Sequence, residues 1–424
     1  MTLPSPSKTL LQLLGPSIVF VALSLNGGEM LLWPDLVAKH GLTILWPIPI
    51  ILLLQYVVNL EIERYTAVTG KNTLTGMIQL QRWIAVLFPV SIVVSLVWPA
   101  WASPAGNMLA YLVGLPQYGT WFAIGVMLLL MLIWTSPKSY SILESVAKIG
   151  LTTVFFIVVG TVIYNWRWEA ASEFAKGMLN IGYVPENINR FTFVSALAYG
   201  GVAGVLNLVQ SDWVASKGYA AAGVKNPENI NWEDPKTQQN WQQWWKLLRK
   251  EHTVLFYVGN LVGISLLAIL SFLILTGTGV SGFRLLTSEV EILNKIFPYL
   301  GILFGGAVVL LFTMAQMTIL DAQGRLLKKC TNTKLSSNQL SQIVGGIGIL
   351  ILLITAFNPN FNQPSSLLQI SASLSAAVMA IYPPILLYLN SKLPKNTQAS
   401  TFNKILVVAC SVFYGIIVIW SLLG

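Results

Sequence analysis

The stretch that decides the fold is Leu25–Glu29, with the sequence LNGGE, which lies inside an apolar run from Leu11 to Val37. A run of this length can cross a bilayer as a helix. A carboxylate near the middle of a membrane is costly, so an ionisable residue there usually marks a binding site or a path. The two glycines before Glu29 favour an interruption of the helix, because glycine allows unusual backbone angles.

A second apolar segment carries a similar weak point at Tyr199–Gly204, with the sequence YGGVAG. Two interrupted helices in corresponding places are typical of transporters whose binding site lies between the breaks. We therefore predict helix breaks at Gly27 and Gly28 in the first segment and at Gly200 in the second. The alternative is that these glycines only allow helices to pack closely, as small residues often do in membranes.

The composition indicates a membrane protein with many spans. The 424 residues are 55% hydrophobic and 10% charged, whereas a soluble domain has about 25% charged residues. Because a spanning helix needs roughly 20 apolar residues, we predict an all-α integral membrane protein of eleven spans. They are 11–38, 44–68, 83–102, 119–135, 141–165, 191–216, 252–276, 299–324, 341–357, 365–390 and 404–423. Short amphipathic helices are predicted at 104–114 and 286–296.

The distribution of charge sets the expected orientation. Most of the 25 Lys and Arg residues fall in loops on one side of the predicted spans, and such loops usually face the cytoplasm. We therefore expect the N-terminus in the cytoplasm and the protein in the plasma (inner) membrane. The net charge of +9 is then a signal of topology in a lipid bilayer, and we expect no nucleic-acid partner.

The longest inner loop, 218–251, ends in a helix rich in Trp, Lys and Arg. This composition predicts an interfacial helix that lies on the inner leaflet, with a gate or a partner site as the alternative. Motifs of metalloproteases, nucleophile elbows and phosphate-binding loops are missing from the sequence. We therefore expect a protein that is not an enzyme and has no resident cofactor.

The spans divide into two halves of five. Residues 1–165 and 191–390 each begin with a glycine-interrupted helix, and the two helices run in opposite directions across the membrane. This arrangement predicts an inverted repeat within a single transporter domain, with the span at 404–423 as an additional helix.

Several segments resemble the Nramp family of divalent-metal transporters, especially its divergent branches. They are Gly15-Pro16-Ser17, Gly41 to Trp46, Leu54-Gln55-Tyr56, Val68 to Lys71, Ser211-Asp212-Trp213 and Lys217-Gly218-Tyr219. The resemblance implies a LeuT-like fold with alternating access around the first and sixth spans, and a divalent metal ion as substrate.

The resemblance also places the metal site. The family motif Asp-Pro-Gly-Asn aligns with Asn26 to Glu29, and Met-Pro-His-Asn aligns with Gly204 to Asn207, so one carboxylate and two amides remain. Without the Met thioether of the sixth span, the site is expected to prefer a hard ion such as Mg²⁺ or Mn²⁺. The usual proton route is not expected, because the sixth span has no His and the spans 83–102 and 341–357 have no charge.

The candidate metal ligands are thus one carboxylate, two amides and nearby carbonyls, with further polar residues around them: Glu29, Asn26, Asn207, the carbonyls near Leu23 and Gly201, and then Gly204, Tyr199 and Gln210. Weaker candidates are Gln55, Asn59, Gln316 and Thr318. Glu29 could instead cap a half-helix or be protonated. Two other functions stay open: a LeuT-fold transporter of an organic solute or another ion, and a non-transporting Nramp-like receptor.

Overall fold

The computed structural model describes residues 1–6, 28–81, 83–133, 139–202, 204–331, 333–358 and 364–423, with the backbone alone at 139–144, 146 and 147. The described residues form helices and no strands. The α-helices are α1 (Trp33–His40), α2 (Pro47–Thr69), α3 (Thr73–Ile78), α4 (Ile84–Leu96), α5 (Ala102–Leu112), α6 (Gly119–Ile133), α7 (Ser139–Tyr164), α8 (Trp168–Leu179), α9 (Arg190–Ala198), α10 (Gln210–Lys217), α11 (Pro235–His252), α12 (Gly259–Leu275), α13 (Phe283–Ile296), α14 (Leu300–Cys330), α15 (Ser337–Phe357), α16 (Pro364–Asn390) and α17 (Thr401–Leu422).

Shorter helical turns connect these elements. Two are π-helical, Gly28–Leu32 before α1 and Thr253–Val258 between α11 and α12; the others are 3₁₀ turns at Leu42–Ile44, Pro116–Tyr118, Gly204–Val209, Ala220–Gly223, Pro227–Asn229 and Lys395–Thr397. The predicted amphipathic segments 104–114 and 286–296 correspond to α5 and α13. The helix α8, which bends by 115° from α7, was not predicted.

Among the described residues, seven helices are long and apolar enough to cross a membrane, and eight if the bent pair of α7 and α8 is one span. The three remaining predicted spans differ for physical reasons. The third is short, because α4 has only 13 residues. The sixth is interrupted, and the described part of the first begins only at Gly28. The chain is thus an all-α integral membrane protein.

The helix α14 lies at the centre of the bundle. It packs against α4, α5, α7, α13 and α15, and 67% of its most apolar window is buried, compared with 17% for α17. The second central helix is α16, which packs against α2, α4, α9 and α17. Because α17 leaves most of its apolar surface outside the protein, that surface faces lipid.

Helix ends follow the signals in the sequence. Asn72, Asp234 and Ser336 each precede a helix, and their side chains accept hydrogen bonds from the free backbone N–H groups of the first turn. Gly70 and Gly218 end α2 and α10 in the left-handed conformation. These ends fix where α2 and α10 stop on the inner side, by which we mean the side that the Lys and Arg distribution assigns to the cytoplasm.

The Trp-rich segment, predicted as an interfacial helix on the inner leaflet, packs its aromatic side chains against the protein. The segment forms α11, which continues through a π turn into α12 as one helix of 41 residues. Trp241 and Trp244 are buried in the protein, and the indole N–H of Trp244 donates to the Pro4 carbonyl at 2.8 Å. Trp245 lies under the Arg64 guanidinium at 3.9 Å. The aromatic side chains therefore pack against the inner face of the protein, together with residues 1–6.

Candidate functional site

The sixth predicted span is interrupted at its centre. The helix α9 ends at Ala198, Tyr199 to Val202 are not helical, and a 3₁₀ turn from Gly204 leads into α10. At an interruption the backbone N–H and C=O groups lose their helical partners and need others. In a membrane such irregular backbone is tolerated only where it is buried in protein or lines a cavity. The break therefore offers free backbone groups in the interior.

Two glycines are required at this break. Gly204 has a φ of +71°, and a Cβ there would lie 2.9 Å from Cβ of Ser375 in α16. Only glycine adopts this conformation without strain and leaves room for α16. At Gly201 a Cβ would lie 2.6 Å from Oε1 of Gln55. The backbone of the break thus approaches α16 on one side and α2 on the other.

Glu29 lies in the π turn Gly28–Leu32, and its side chain is only 1% exposed. This turn packs against α1, α9, α12 and α13, so the carboxylate lies inside the protein rather than against lipid. Leu23, Asn26 and Gly27 lie outside the described residues. Of the carbonyls and amides predicted in the first span, the structure therefore places none.

Asn207 lies in the 3₁₀ turn and is fully buried. Its Nδ2 donates to the hydroxyl of Tyr382 at 3.3 Å and to the sulfur of Met379 at 3.5 Å, both in α16. Its Oδ1 is buried and has no hydrogen-bond partner among the described residues. A buried amide oxygen without a partner carries a desolvation cost of about 1–3 kcal/mol, so it marks a place for a ligand or a bound water.

Gln55 of α2 closes the other side of the break. Its Nε2 donates to the Ala198 carbonyl at 3.3 Å and to the Tyr414 hydroxyl at 2.7 Å. Tyr414 in turn donates to the Leu197 carbonyl at 3.1 Å. These bonds satisfy carbonyls that α9 leaves free at its end. The remaining Oε1 of Gln55 is buried, faces Gly201 and has no partner among the described residues.

Tyr199 points into a row of hydroxyl groups between α9 and α16. Its hydroxyl lies 2.7 Å from Oγ of Ser371 and 3.4 Å from Oγ of Ser375. Ser371 donates to the Ser95 carbonyl of α4 at 2.6 Å. One turn outward, the hydroxyls of Ser195 and Ser373 lie 3.0 Å apart. The hydroxyls are thus bonded to one another and hold α9 against α16.

The structure brings some of the predicted site residues together and separates others. Tyr199, Gly204 and Asn207 all face α16, and Gly201 faces Gln55. Glu29 lies in the π turn Gly28–Leu32, which also contacts α9. Gln210 begins α10 and is 3% exposed. Among the described residues there is no group of three or more His, Cys, Asp or Glu side chains that could hold a metal ion. The chemistry of the site is therefore that of one carboxylate and neutral oxygen atoms.

Sequence reasoning missed two residues beside Asn207. Met379 and Tyr382 both lie on α16 and are fully buried. A signal was present, because Ser371, Ser375, Met379 and Tyr382 recur at helical spacing in the tenth predicted span. That spacing did not show which span they would face. A thioether is therefore next to Asn207, although it comes from the tenth predicted span and not from the sixth.

Comparisons with known proteins bear on the fold. No family model and no curated protein matches the sequence. Among solved structures, the manganese transporter of Eremococcus coleocola, in complex with an aromatic bis-isothiourea substituted compound, superposes with a TM-score of 0.77. The identity is 14%, over 99% of this chain and 88% of the transporter. A variant of that transporter with one glutamate changed to alanine gives 0.76, with the same identity and coverage.

MhsT, solved in complex with L-phenylalanine, superposes with a TM-score of 0.51 and 12% identity, over 99% of both chains. This chain has the fold of these solved structures. The prediction of an all-α, LeuT-like membrane fold is thereby confirmed. At such low identities the likeness concerns the fold alone, so the chemistry has to be argued from this chain's own residues.

The inner ends of the helices carry charged groups that pair with one another. Arg64 pairs with Glu61 at 3.0 Å, and Asp212 of α10 pairs with Lys329 of α14. Asp321 and Arg325 of α14 form a further pair. Asp212 also accepts from Nδ2 of Asn72 at 2.7 Å. These contacts tie α10 to α3 and α14 on the inner side.

Proposed function

We propose that this chain is a secondary transporter that moves a divalent metal cation across the membrane by alternating access. The observation that carries the proposal is Oδ1 of Asn207, a buried amide oxygen without a partner among the described residues, at the break of the sixth span. Transporters of broken-helix folds bind their substrate at such breaks. Oxygen atoms are the ligands that hard divalent cations prefer.

Other groups of the first and sixth predicted spans and of α2 complete the proposed site. Glu29 supplies the negative charge, and the carbonyls near Gly201 supply further oxygen atoms. Oε1 of Gln55 is the second buried oxygen without a partner, and it faces Gly201. The resemblance of the sequence adds Asn26 and the carbonyl near Leu23. This set has one formal charge and several neutral oxygen atoms, which suits a cation that keeps part of its hydration.

We propose Mn²⁺ or Mg²⁺ as the cation. Carboxylate, carbonyl and amide oxygens suit both ions. The sulfur of Met379 beside Asn207 favours Mn²⁺ over Mg²⁺, because a thioether is a softer ligand. The solved neighbour described as a manganese transporter supports the same choice. We further propose that the N-terminus is cytoplasmic and that the protein lies in the plasma membrane, in accordance with the Lys and Arg distribution.

Uptake of radioactive Mn²⁺ into proteoliposomes tests the function. We expect Glu29→Gln and Asn207→Leu each to lower the uptake rate by at least about tenfold, since each removes a ligand. The matched control is Glu289→Gln at pH 6. Glu289 is a buried carboxyl of α13 whose pKa burial raises to about 8, so at pH 6 the substitution changes no charge. Glu29→Gln that transports at the native rate would count decisively against the assignment.

An organic solute is the second candidate substrate. It is favoured by the shared fold of MhsT, which was solved with L-phenylalanine, and by the lack of an acidic cluster in the described residues. A thermal-shift screen of metal ions against amino acids separates the two candidates. Stabilisation by amino acids and not by Mn²⁺ or Mg²⁺ would assign the site to an organic solute.

A further inference from the structure

A small cavity of about 30 Å³ lies on the inner side of the break. Its amide, imidazole and charged side chains come from three elements: Glu63 of α2, Gln210 and Lys217 of α10, and Glu251 and His252 at the end of α11. Phe256 of the π turn closes it toward the break. The cavity thus lies between the inner ends of the second and sixth predicted spans and the start of the seventh.

Two buried polar atoms of this cavity have no hydrogen-bond partner among the described residues. They are Oε2 of Glu63, a residue that is 7% exposed, and Nε2 of Gln210, a residue that is 3% exposed. A half-turn of the Gln210 amide would present its oxygen to the same space. Buried polar groups normally have partners, so two open ones on a single cavity indicate a ligand.

The charges around the cavity leave one carboxylate without a permanent counter-charge. Glu251 is paired with Nζ of Lys217 at 2.5 Å and accepts from the Tyr219 hydroxyl at 2.7 Å. Burial and the neighbouring Glu251 carboxylate raise the pKa of Tyr219, so this hydroxyl stays protonated. Among the described residues, Glu63 is paired only with Nδ1 of His252, at 3.2 Å, and an imidazole is charged only when protonated. The cavity therefore favours a cation.

The cavity lies on a line of polar groups that begins at the break. Gln55, Asn59 and Glu63 follow one another at intervals of four residues on α2, which places them on the same side of that helix. Both polar atoms of Asn59 are buried without partners among the described residues. On the facing segment, Asn207 and Gln210 are one turn apart. The segments pack together, so polar atoms extend from the break to Glu63.

Phe256 stands between the two ends of this line. Its ring lies 3.1 Å from the position that a Cβ of Gly201 would take, and it stacks on His252 with ring centroids 5.0 Å apart. It belongs to a π turn, a feature that is frequent at functional sites. One aromatic side chain thus separates the break from the inner cavity.

We propose that the inner cavity is a second cation site, with Glu63 as its charged ligand and Gln210 as an oxygen donor. It receives a divalent cation from the break when Phe256 moves aside, and it releases the cation on the inner side. This inference rests on the proposed function. It adds a site that the cation occupies after the break.

Anomalous diffraction from crystals of the full chain soaked in Mn²⁺ tests the proposal. We expect two Mn²⁺ peaks, one at the break and one within about 2.5 Å of a Glu63 carboxylate oxygen. In Glu63→Gln crystals the inner peak should be lost and the peak at the break kept. Glu63→Gln should also lower the maximal rate of Mn²⁺ uptake several-fold with little change in the affinity measured by calorimetry.

The outcomes separate this proposal from the function. A peak at the break without one at Glu63 overturns the second site and leaves the transporter assignment intact. An inner peak that persists in Glu63→Gln also overturns it. No peak at either position, together with no uptake, refutes the proposed function and the second site with it. Since Glu63→Gln keeps the shape of the side chain, its melting temperature shows whether the variant is folded.

Discussion

Glu289 is expected to make the stability of the protein depend on pH. It lies on α13, outside the spans, is 2% exposed, and burial raises its pKa from 4.5 to about 8. Well below pH 4.5 the carboxyl is protonated in both the folded and the unfolded state. At such pH its ionisation costs the folded state no stability. As the pH rises toward 8 the unfolded state ionises and the folded state does not, so stability is lost.

The size of the effect follows from the two pKa values. The difference between 4.5 and about 8, at about 1.36 kcal/mol for each pH unit, sets an upper limit of about 5 kcal/mol. Glu289→Gln removes the ionisation and keeps the shape. We therefore expect the variant to match the native protein at pH 5 and to be more stable at pH 8.5, by up to roughly 2 °C in melting temperature for each kcal/mol.

Thermal unfolding in detergent at pH 5, 7 and 8.5 measures this difference. Glu291 lies on the same helix and is exposed, so Glu291→Gln is the matched control and should follow the native profile. If Glu289→Gln and the native protein lose stability in parallel as the pH rises, the carboxyl of Glu289 does not titrate in the way its burial requires, and the reasoning is refuted.

Three further substitutions test the break. Gly204→Ala should lower the free energy of unfolding by about 1–2 kcal/mol through backbone strain, and further through the contact with Ser375, and it should weaken Mn²⁺ binding. The control Gly114→Ala has a φ of +78° but no atom within 4 Å, so it should show the strain alone. Equal losses of stability in the two variants would contradict the close approach of Gly204 to α16. Met379→Leu keeps the volume and should lower the affinity for Mn²⁺ relative to Mg²⁺ in calorimetry, whereas an unchanged ratio would remove the thioether from the site. Tyr199→Phe should cost about 1–2 kcal/mol in thermal unfolding, because Ser375 loses a hydroxyl partner; no change would mean that the hydroxyl row does not hold α9 against α16.

Much of the fold could be predicted because its signals are local. Hydrophobic runs predicted the positions of most of the spans, and the glycines of Tyr199–Gly204 lie where α9 ends. The amphipathic segment 286–296 has the apolar spacing of a helix and falls within α13. These features depend on the backbone conformations that each residue allows and on the burial of apolar side chains away from water. Both effects are visible within a few neighbouring residues of the sequence.

The partners of the break could not be predicted in the same way. Gln55 and Tyr414 are 359 positions apart in the sequence, yet they bond each other at 2.7 Å and share the carbonyls at the end of α9. Met379 reaches Asn207 across 172 positions. Such pairs are set by packing between helices, which a single sequence does not encode in its spacing. The continuous helix of α11 and α12 was not predicted. A helix rich in Trp, Lys and Arg has the same composition whether it packs against a membrane surface or against a protein surface.

The two ends of the break have different hydrogen-bond partners, and this asymmetry supports the proposed position of the cation site. At the end of α9, Gln55 and Tyr414 bond the free carbonyls, so this half-helix is closed by side chains. At the start of the inner half, Asn207 uses its donor on α16, and its oxygen has no partner among the residues that the structure describes. If the break served only to let helices pack, both ends would gain from closure, since an open buried oxygen costs stability. A buried amide oxygen without a partner among the described residues, beside a helix end whose carbonyls are bonded, therefore favours a cation ligand at Asn207 over a break that serves packing alone.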